Sequence, residues 1–263
     1  MNHVAPTAPS AGVAAPRVSV LSLALSRGSY QQLQESIVAA ARRGESRSAC
    51  FANVHMAVEA HRDPAFAHLV NAADWVAADG VPLTWAMRLL DGIRQPRVAG
   101  IDMLPDLVRR AADEGLPVFF YGSTPDVLAR TVAVCRERHS GLLIAGTLSP
   151  PFRPLTEAEE AKVVETINAS GARLVFVALG CPKQERWMAQ MRGRIGAVLL
   201  GIGGALPILA GVQRRSPRWM QQNGLEWVFR LAVEPRRLFR RYAVTNTLFL
   251  LYLTRQFWRK RQG

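Results

Sequence analysis

LVFVAL, Leu174 to Leu179, runs without a polar side chain into Gly180-Cys181-Pro182-Lys183-Gln184-Glu185, and a helical pattern follows over Lys183 to Gln190. An apolar run closed by glycine and proline and followed by an amphipathic stretch predicts a strand, buried on both faces, that turns into a helix. The same unit recurs outward along the chain. Strands are predicted at Val18 to Leu23, Ala49 to Asn53, Trp75 to Ala78, Pro117 to Tyr121, Leu142 to Gly146 and Ala197 to Ile202. Helices are predicted at Tyr30 to Arg42, Met56 to Ala73, Pro82 to Leu90, Asp102 to Glu114, Thr124 to Arg138 and Thr156 to Ala169. Strands alternating with helices of this length predict an α/β protein with a mostly parallel, doubly wound sheet and helices on both faces.

The chain divides unevenly. Residues 1–16 are rich in Ala and Pro, with neither a basic start nor an apolar run, which speaks against a signal peptide and predicts a disordered tail. Residues 17–208 hold the alternating pattern and ordinary mixed charge. Residues 209–263 read as an all-helical, basic appendage, with twelve Lys/Arg against Glu226 and Glu234, or ten of the chain's thirteen net positive charges. Trp219, Trp227, Phe229, Phe239, Tyr242 and the run LFLLYL (Leu248 to Leu253) are interleaved with those arginines. Such a surface suits the anionic inner leaflet of a membrane, and predicts a cytoplasmic protein held peripherally on its inner face. No apolar run reaches the roughly 20 residues that a spanning helix needs.

A basic balance also suits nucleic acid, but the charge is confined to one end and no zinc finger, RNA-recognition signature or helix-turn-helix spacing is present, so no nucleic-acid partner is expected. Cys50, Cys135 and Cys181 are odd in number and widely spaced, which gives neither a disulfide framework nor a zinc site. A non-catalytic membrane- or nucleic-acid-binding module on a nucleotide-binding fold is the rival to an enzyme.

In a parallel α/β sheet, ligands sit beyond the carboxyl ends of the strands. There the sequence places Asn53, Asp79-Gly80, Gly122-Ser123, Gly180 with Lys183, and Gly203-Gly204. Glycines at such turns let backbone amides approach a phosphate. They also simply make tight βα turns. Gly201-Ile202-Gly203-Gly204 is not a GxGxxG fingerprint and no Walker lysine follows it, which disfavours hydride transfer and P-loop chemistry. No DxD pair offers itself to a diphosphate-bound metal, so neither metal nor cofactor is expected. Asp79 reads either as the N-cap of the following helix or as a general base at the pocket rim. Glu157, Glu159 and Glu160 read as a solvated first turn.

Four stretches, ADGVPLTWA (Ala78 to Ala86), RVAGIDML (Arg97 to Leu104), LGCPKQERWM (Leu179 to Met188) and the long segment from Ile202 to Tyr242, make the chain resemble the WecG/TagA/CpsF family of bacterial glycosyltransferases. The resemblance implies a Rossmann-like core and a basic C-terminal appendage. It implies inverting, metal-independent transfer from a UDP-sugar to a polyprenyl-diphosphate-linked sugar. It matches Asp79 to the family's base, Asn53 to a neighbouring asparagine, and Arg97 and Gln184 to polar active-site residues. Arg230, Arg237 and Arg240, spaced as on one helical face, match arginines that reach the acceptor diphosphate. Phe51 stands where relatives often have Thr, and Pro207 stands where GGxFD has its aspartate. The donor is therefore open between UDP-N-acetylmannosamine and UDP-glucose, the latter as in exopolysaccharide assembly of the xanthan kind. A homo-oligomer is also left open.

Overall fold

The computed structural model describes residues 16–262, apart from the side chains of Gln222, Arg237 and Arg241. The tail expected over residues 1–16 thus lies, but for Pro16, outside the described residues. The elements follow as β1 (Arg17–Val20), β2 (Leu23–Ser26), α1 (Tyr30–Arg42), β3 (Arg47–Ala52), α2 (Val54–Arg62), α3 (Pro64–Asn71), β4 (Trp75–Ala78), α4 (Val81–Asp91) and α5 (Gly100–Glu114). Next come β5 (Val118–Gly122), α6 (Pro125–Arg138), β6 (Ile144–Leu148), α7 (Glu157–Ala169), β7 (Leu174–Ala178), α8 (Lys183–Met191) and β8 (Val198–Gly201). Four helices end the chain: α9 (Ala205–Leu209), α10 (Arg218–Gln222), α11 (Glu226–Val233) and α12 (Pro235–Gln262).

Six strands pair in parallel in the order β4-β3-β8-β7-β5-β6. Their side chains alternate between two cores: Phe119, Tyr121, Val175 and Val177 enter one, while Val118, Phe120, Leu174 and Phe176 enter the other. Helices α2, α3, α4, α7, α8 and α12 cover the first core, and α1, α5, α6 and α9 cover the second. Burial on both faces explains why the strands read as continuous apolar runs rather than as alternating ones.

Two boundaries differ from the sequence expectation. Val18 to Leu23 is not one strand: the chain turns at Leu21, with φ of 54°, and β1 and β2 form an antiparallel hairpin outside the main sheet. Its edge is still tied in, because the Ser26 hydroxyl accepts from the buried Val76 N–H at 3.0 Å. The helix expected over Met56 to Ala73 is broken at Asp63. That residue precedes Pro64, which disfavours a helical backbone, and its carboxylate instead caps α3 by accepting from the Phe66 N–H at 3.0 Å. The acidic group at the start of α7 is a capped first turn, where Thr156 and Glu159 exchange backbone and side-chain bonds and Arg153 pairs with Glu159.

The basic segment is packed onto the core. Leu238 and Phe249 of α12 are buried, and Leu248, Tyr252 and Leu253 lie against the core beneath. Gln256 accepts from the Leu21 N–H at 2.8 Å and so joins α12 to the hairpin. The opposite side of α12 exposes Phe239, Val244, Leu250, Leu251 and Trp258, and Tyr242 to Thr254 contains no charged residue. Among the described residues no helix is long and apolar enough to cross a membrane.

Candidate active site

Parallel pairing of Ala52 with Ala78 ends β3 and β4 side by side, which brings Asn53 and Asp79 to one edge of the sheet. The Asp79 N–H donates to the Ala52 carbonyl at 2.8 Å, and a β-carbon on Gly80 would stand only 3.4 Å from the Asn53 Cα. Asn53 is the capping residue here, its side-chain oxygen accepting from the Met56 N–H at 3.2 Å. Asp79 is not. The N-cap of α4 is Gly80, with no side-chain cap bond, so the Asp79 carboxylate is not spent on the helix end, and 24% of the side chain is exposed.

Arg97 fixes that carboxylate. Its Nε donates to the Asp79 carbonyl at 2.7 Å and one terminal nitrogen lies 3.3 Å from Oδ1. The same terminal nitrogen donates to Glu226 of α11 at 2.6 Å, and the other reaches Asp102 at 3.4 Å. Asp102 is shared with Arg215. Burial pushes the Asp79 carboxyl up to about 6, with Glu226 pushing the same way; Arg97, Arg230 and the Gly100 N–H pull it down without reversing the shift. A carboxyl group so placed changes charge close to neutral pH, where a general base is most effective.

Along the carboxyl edge the glycine turns take up the remaining strand ends. Gly122 has φ of 102°, and a β-carbon there would lie 2.7 Å from the Ala178 carbonyl, so only glycine lets β5 and β7 approach this closely. Ser123 follows in the left-handed region at φ of 61°, its N–H donating to the Ala178 carbonyl at 2.9 Å. Gln184 is buried and committed: its oxygen accepts from the Gly180 N–H at 3.2 Å, and its nitrogen donates to Glu185 at 2.8 Å and to the Gly201 carbonyl at 3.1 Å. It holds the β7 and β8 turns together, which is a positioning role. Lys183 and Gly204 are exposed and Gly203 partly so. Phe51 packs its ring under Gly100, and Pro207 lies in α9 with its carbonyl accepting from Val212 and Gln213.

The three arginines do not share a helical face. Pro235 ends α11, because the residue before a proline is driven out of the helical region; Glu234 sits at φ −130°, ψ 61°. Arg230 therefore belongs to α11, while Arg237 and Arg240 belong to α12. Arg230 reaches the site, its Nη1 standing 3.7 Å from where a β-carbon on Gly204 would be. Arg240 is exposed on α12, and the Arg237 side chain lies outside the described residues.

Sequence reasoning passed over Glu226, Asp102 and Arg215. A signal for Glu226 was present: it is one of only two acids among the twelve cations and precedes Arg230 by one helical turn. Among the described residues no group of three or more His, Cys, Asp or Glu could hold a metal ion.

In a parallel sheet of this kind, ligands bind beyond the carboxyl ends of the strands, where the glycine turns and the partly exposed Asp79 carboxylate lie. The model of the glycosyl transferase WecG/TagA/CpsF family matches residues 18–263, and the chain belongs to that family. The protein is accordingly a glycosyltransferase of cell-surface polymer biosynthesis, taking a nucleotide-sugar donor and a lipid-linked acceptor.

Proposed function

We propose that the enzyme transfers a sugar with inversion from a UDP-sugar to a polyprenyl-diphosphate-linked sugar at the inner face of the membrane, with Asp79 as the base. The observation that carries this reading is the Asp79 carboxylate itself, uncapped, partly buried and held by Arg97. The acceptor hydroxyl gives its proton to Asp79 as its oxygen attacks the anomeric carbon. The bond from that carbon to the β-phosphate oxygen breaks on the opposite face, and UDP leaves with the electron pair.

Asp79 and Ser123 stand at strands four places apart, about 19 Å at ordinary strand spacing. That span fits a nucleotide diphosphate over the turns at Gly122-Ser123, Gly180 and Gly203-Gly204, with the acceptor at the Asn53 and Asp79 end. Arg230 and Lys183 meet the charge growing on the β-phosphate, because the Ser123, Gly180 and Gly203 N–H groups are already given to Ala178, Gln184 and Val177. No DxD pair stands in the sequence, so the reaction is assigned no metal. The outer face of α12, with Leu250, Leu251 and Trp258, and the basic residues at both ends of that helix suit an anionic membrane surface.

The test is UDP release from a panel of UDP-sugars, UDP-glucose and UDP-N-acetylmannosamine among them, with a short-chain prenyl-diphosphate sugar and with EDTA present. Turnover with one donor supports the reading and names the donor. Turnover that needs added Mn²⁺ overturns the metal assignment, and turnover unchanged in Asp79→Asn overturns the base.

A further inference from the structure

Arg97 links the core to α11 beside Asp79. One of its terminal nitrogens lies closer to the carboxylate of Glu226, 129 residues further along the chain, than to that of Asp79, at 2.6 Å against 3.3 Å. The entry to α11 is itself seated at the sheet edge: Gly224, with φ of 70°, packs so close to Val81 that a β-carbon would lie 3.1 Å from that side chain. Helical spacing then puts Glu226 and Arg230 on the same side of α11, one turn apart, so that one helix brings an anion and a cation to bear on the same carboxylate. The terminal nitrogen that donates to Glu226 is the same one that lies 3.3 Å from Asp79 Oδ1, so the two carboxylates compete for one donor group.

We propose that Glu226 is a positioning residue of the transfer reaction: by taking the closest contact of Arg97 it holds that guanidinium back from Asp79 and leaves the Asp79 carboxylate available to accept a proton. The inference rests on the reading of Asp79 as the base. The charged and polar groups that act on the Asp79 carboxyl among the described residues include Arg97 from the segment before α5, the Gly100 N–H at the start of α5, and Glu226 and Arg230 from α11. Asp102 and Arg215 act through Arg97. Removing the Glu226 charge deletes a neighbouring negative charge and frees Arg97 to close on Asp79. Both changes make the carboxyl more acidic and a weaker base.

The experiment is a carboxyl ¹³C NMR titration of Asp79 in the full-length wild type, Glu226→Gln and Glu226→Asp, run beside the pH profile of UDP release from the donor that the panel selects. In Glu226→Gln the Asp79 midpoint and the acid limb of kcat/KM are expected to fall together by about half a pH unit or more. The plateau rate should drop about two- to threefold, as a weaker base dictates. Glu226→Asp keeps the charge and should restore most of the midpoint. A midpoint that is unmoved or rises in Glu226→Gln, with thermal stability equal to wild type, overturns the proposal. So does a Glu226→Asp midpoint equal to that of the Gln variant. Wild-type turnover in Asp79→Asn would instead overturn the base reading beneath it, a result the titration does not share.

Discussion

Replacing Asp79 by Asn should make the protein more stable while it loses activity. The Asp79 carboxyl keeps its proton in the fold up to about 6, against a reference of 3.8. A difference of about 2 corresponds to about 3 kcal/mol by which folding opposes its ionisation. With 24% of the side chain in solvent, water screens part of this, so about 1.5–3 kcal/mol is expected. The sign follows from proton uptake. Below about pH 4 both folded and unfolded chains are protonated and the penalty is absent; between about 4 and 6 the unfolded chain ionises first and the wild type loses stability; above about 6 the full penalty remains. Asn is the neutral shape at every pH. The variant's melting temperature should therefore match wild type near pH 4 and exceed it by roughly 3–12 °C at pH 8, using about 2–4 °C per kcal/mol for a chain of this size. Thermal unfolding followed across that range reads the difference. Turnover should fall by about 10²–10⁴-fold with UDP affinity kept. A stability gap that does not change with pH, or a variant less stable than wild type at pH 8, would refute the assignment of a desolvated carboxylate.

Arg97→Gln removes the cation that most lowers the Asp79 carboxyl, so the acid limb of its kcat/KM profile should move to higher pH, opposite to Glu226→Gln; a shift the other way contradicts the charge arrangement. Arg230→Gln should lower transfer to lipid-linked acceptor at least about tenfold, whereas the exposed Arg240→Gln should change it less than about threefold, since only Arg230 stands over the Gly204 turn; equal effects would return both to one functional face. Leu250→Glu with Trp258→Glu, both outward on α12, should weaken sedimentation with anionic vesicles about tenfold or more without changing the melting temperature, and unaltered sedimentation would remove this face from the membrane contact. Gly122→Ala meets the Ala178 carbonyl at 2.7 Å from a left-handed backbone and should destabilise the fold by about 2 kcal/mol or more in a denaturant titration, a loss that an unstrained turn would not show.

Much of the architecture could be read locally. Strand and helix periodicity is written within a few residues of each position, and the six parallel strands fall at the predicted runs to within a few residues, with Trp75–Ala78 matched at both ends. Where a local signal was outweighed, the competing signal was local too. Asp63-Pro64 breaks a long helical pattern, and Glu234-Pro235 separates Arg230 from Arg240 although their spacing suits one face. Asp79 is adjacent in sequence to its strand and to its helix, so the sequence offered both cap and base as readings. The fold excludes the cap, because Gly80 occupies that position while the carboxylate turns toward Arg97.

The alternation of strands and helices in the main sheet, the residues at its strand ends and the lopsided charge were legible in the chain alone, because each depends on neighbours in sequence. Only the tertiary structure decided that β8 and β7 lie between β3 and β5, that Gln184 is spent on holding two turns together, and that Glu226 closes on Arg97 across 129 residues. The physical reason is that an ion pair or a shared turn is chosen by distance in space. No pattern along the chain fixes that distance until the sheet has set which strand ends are neighbours and α11 has been seated against them.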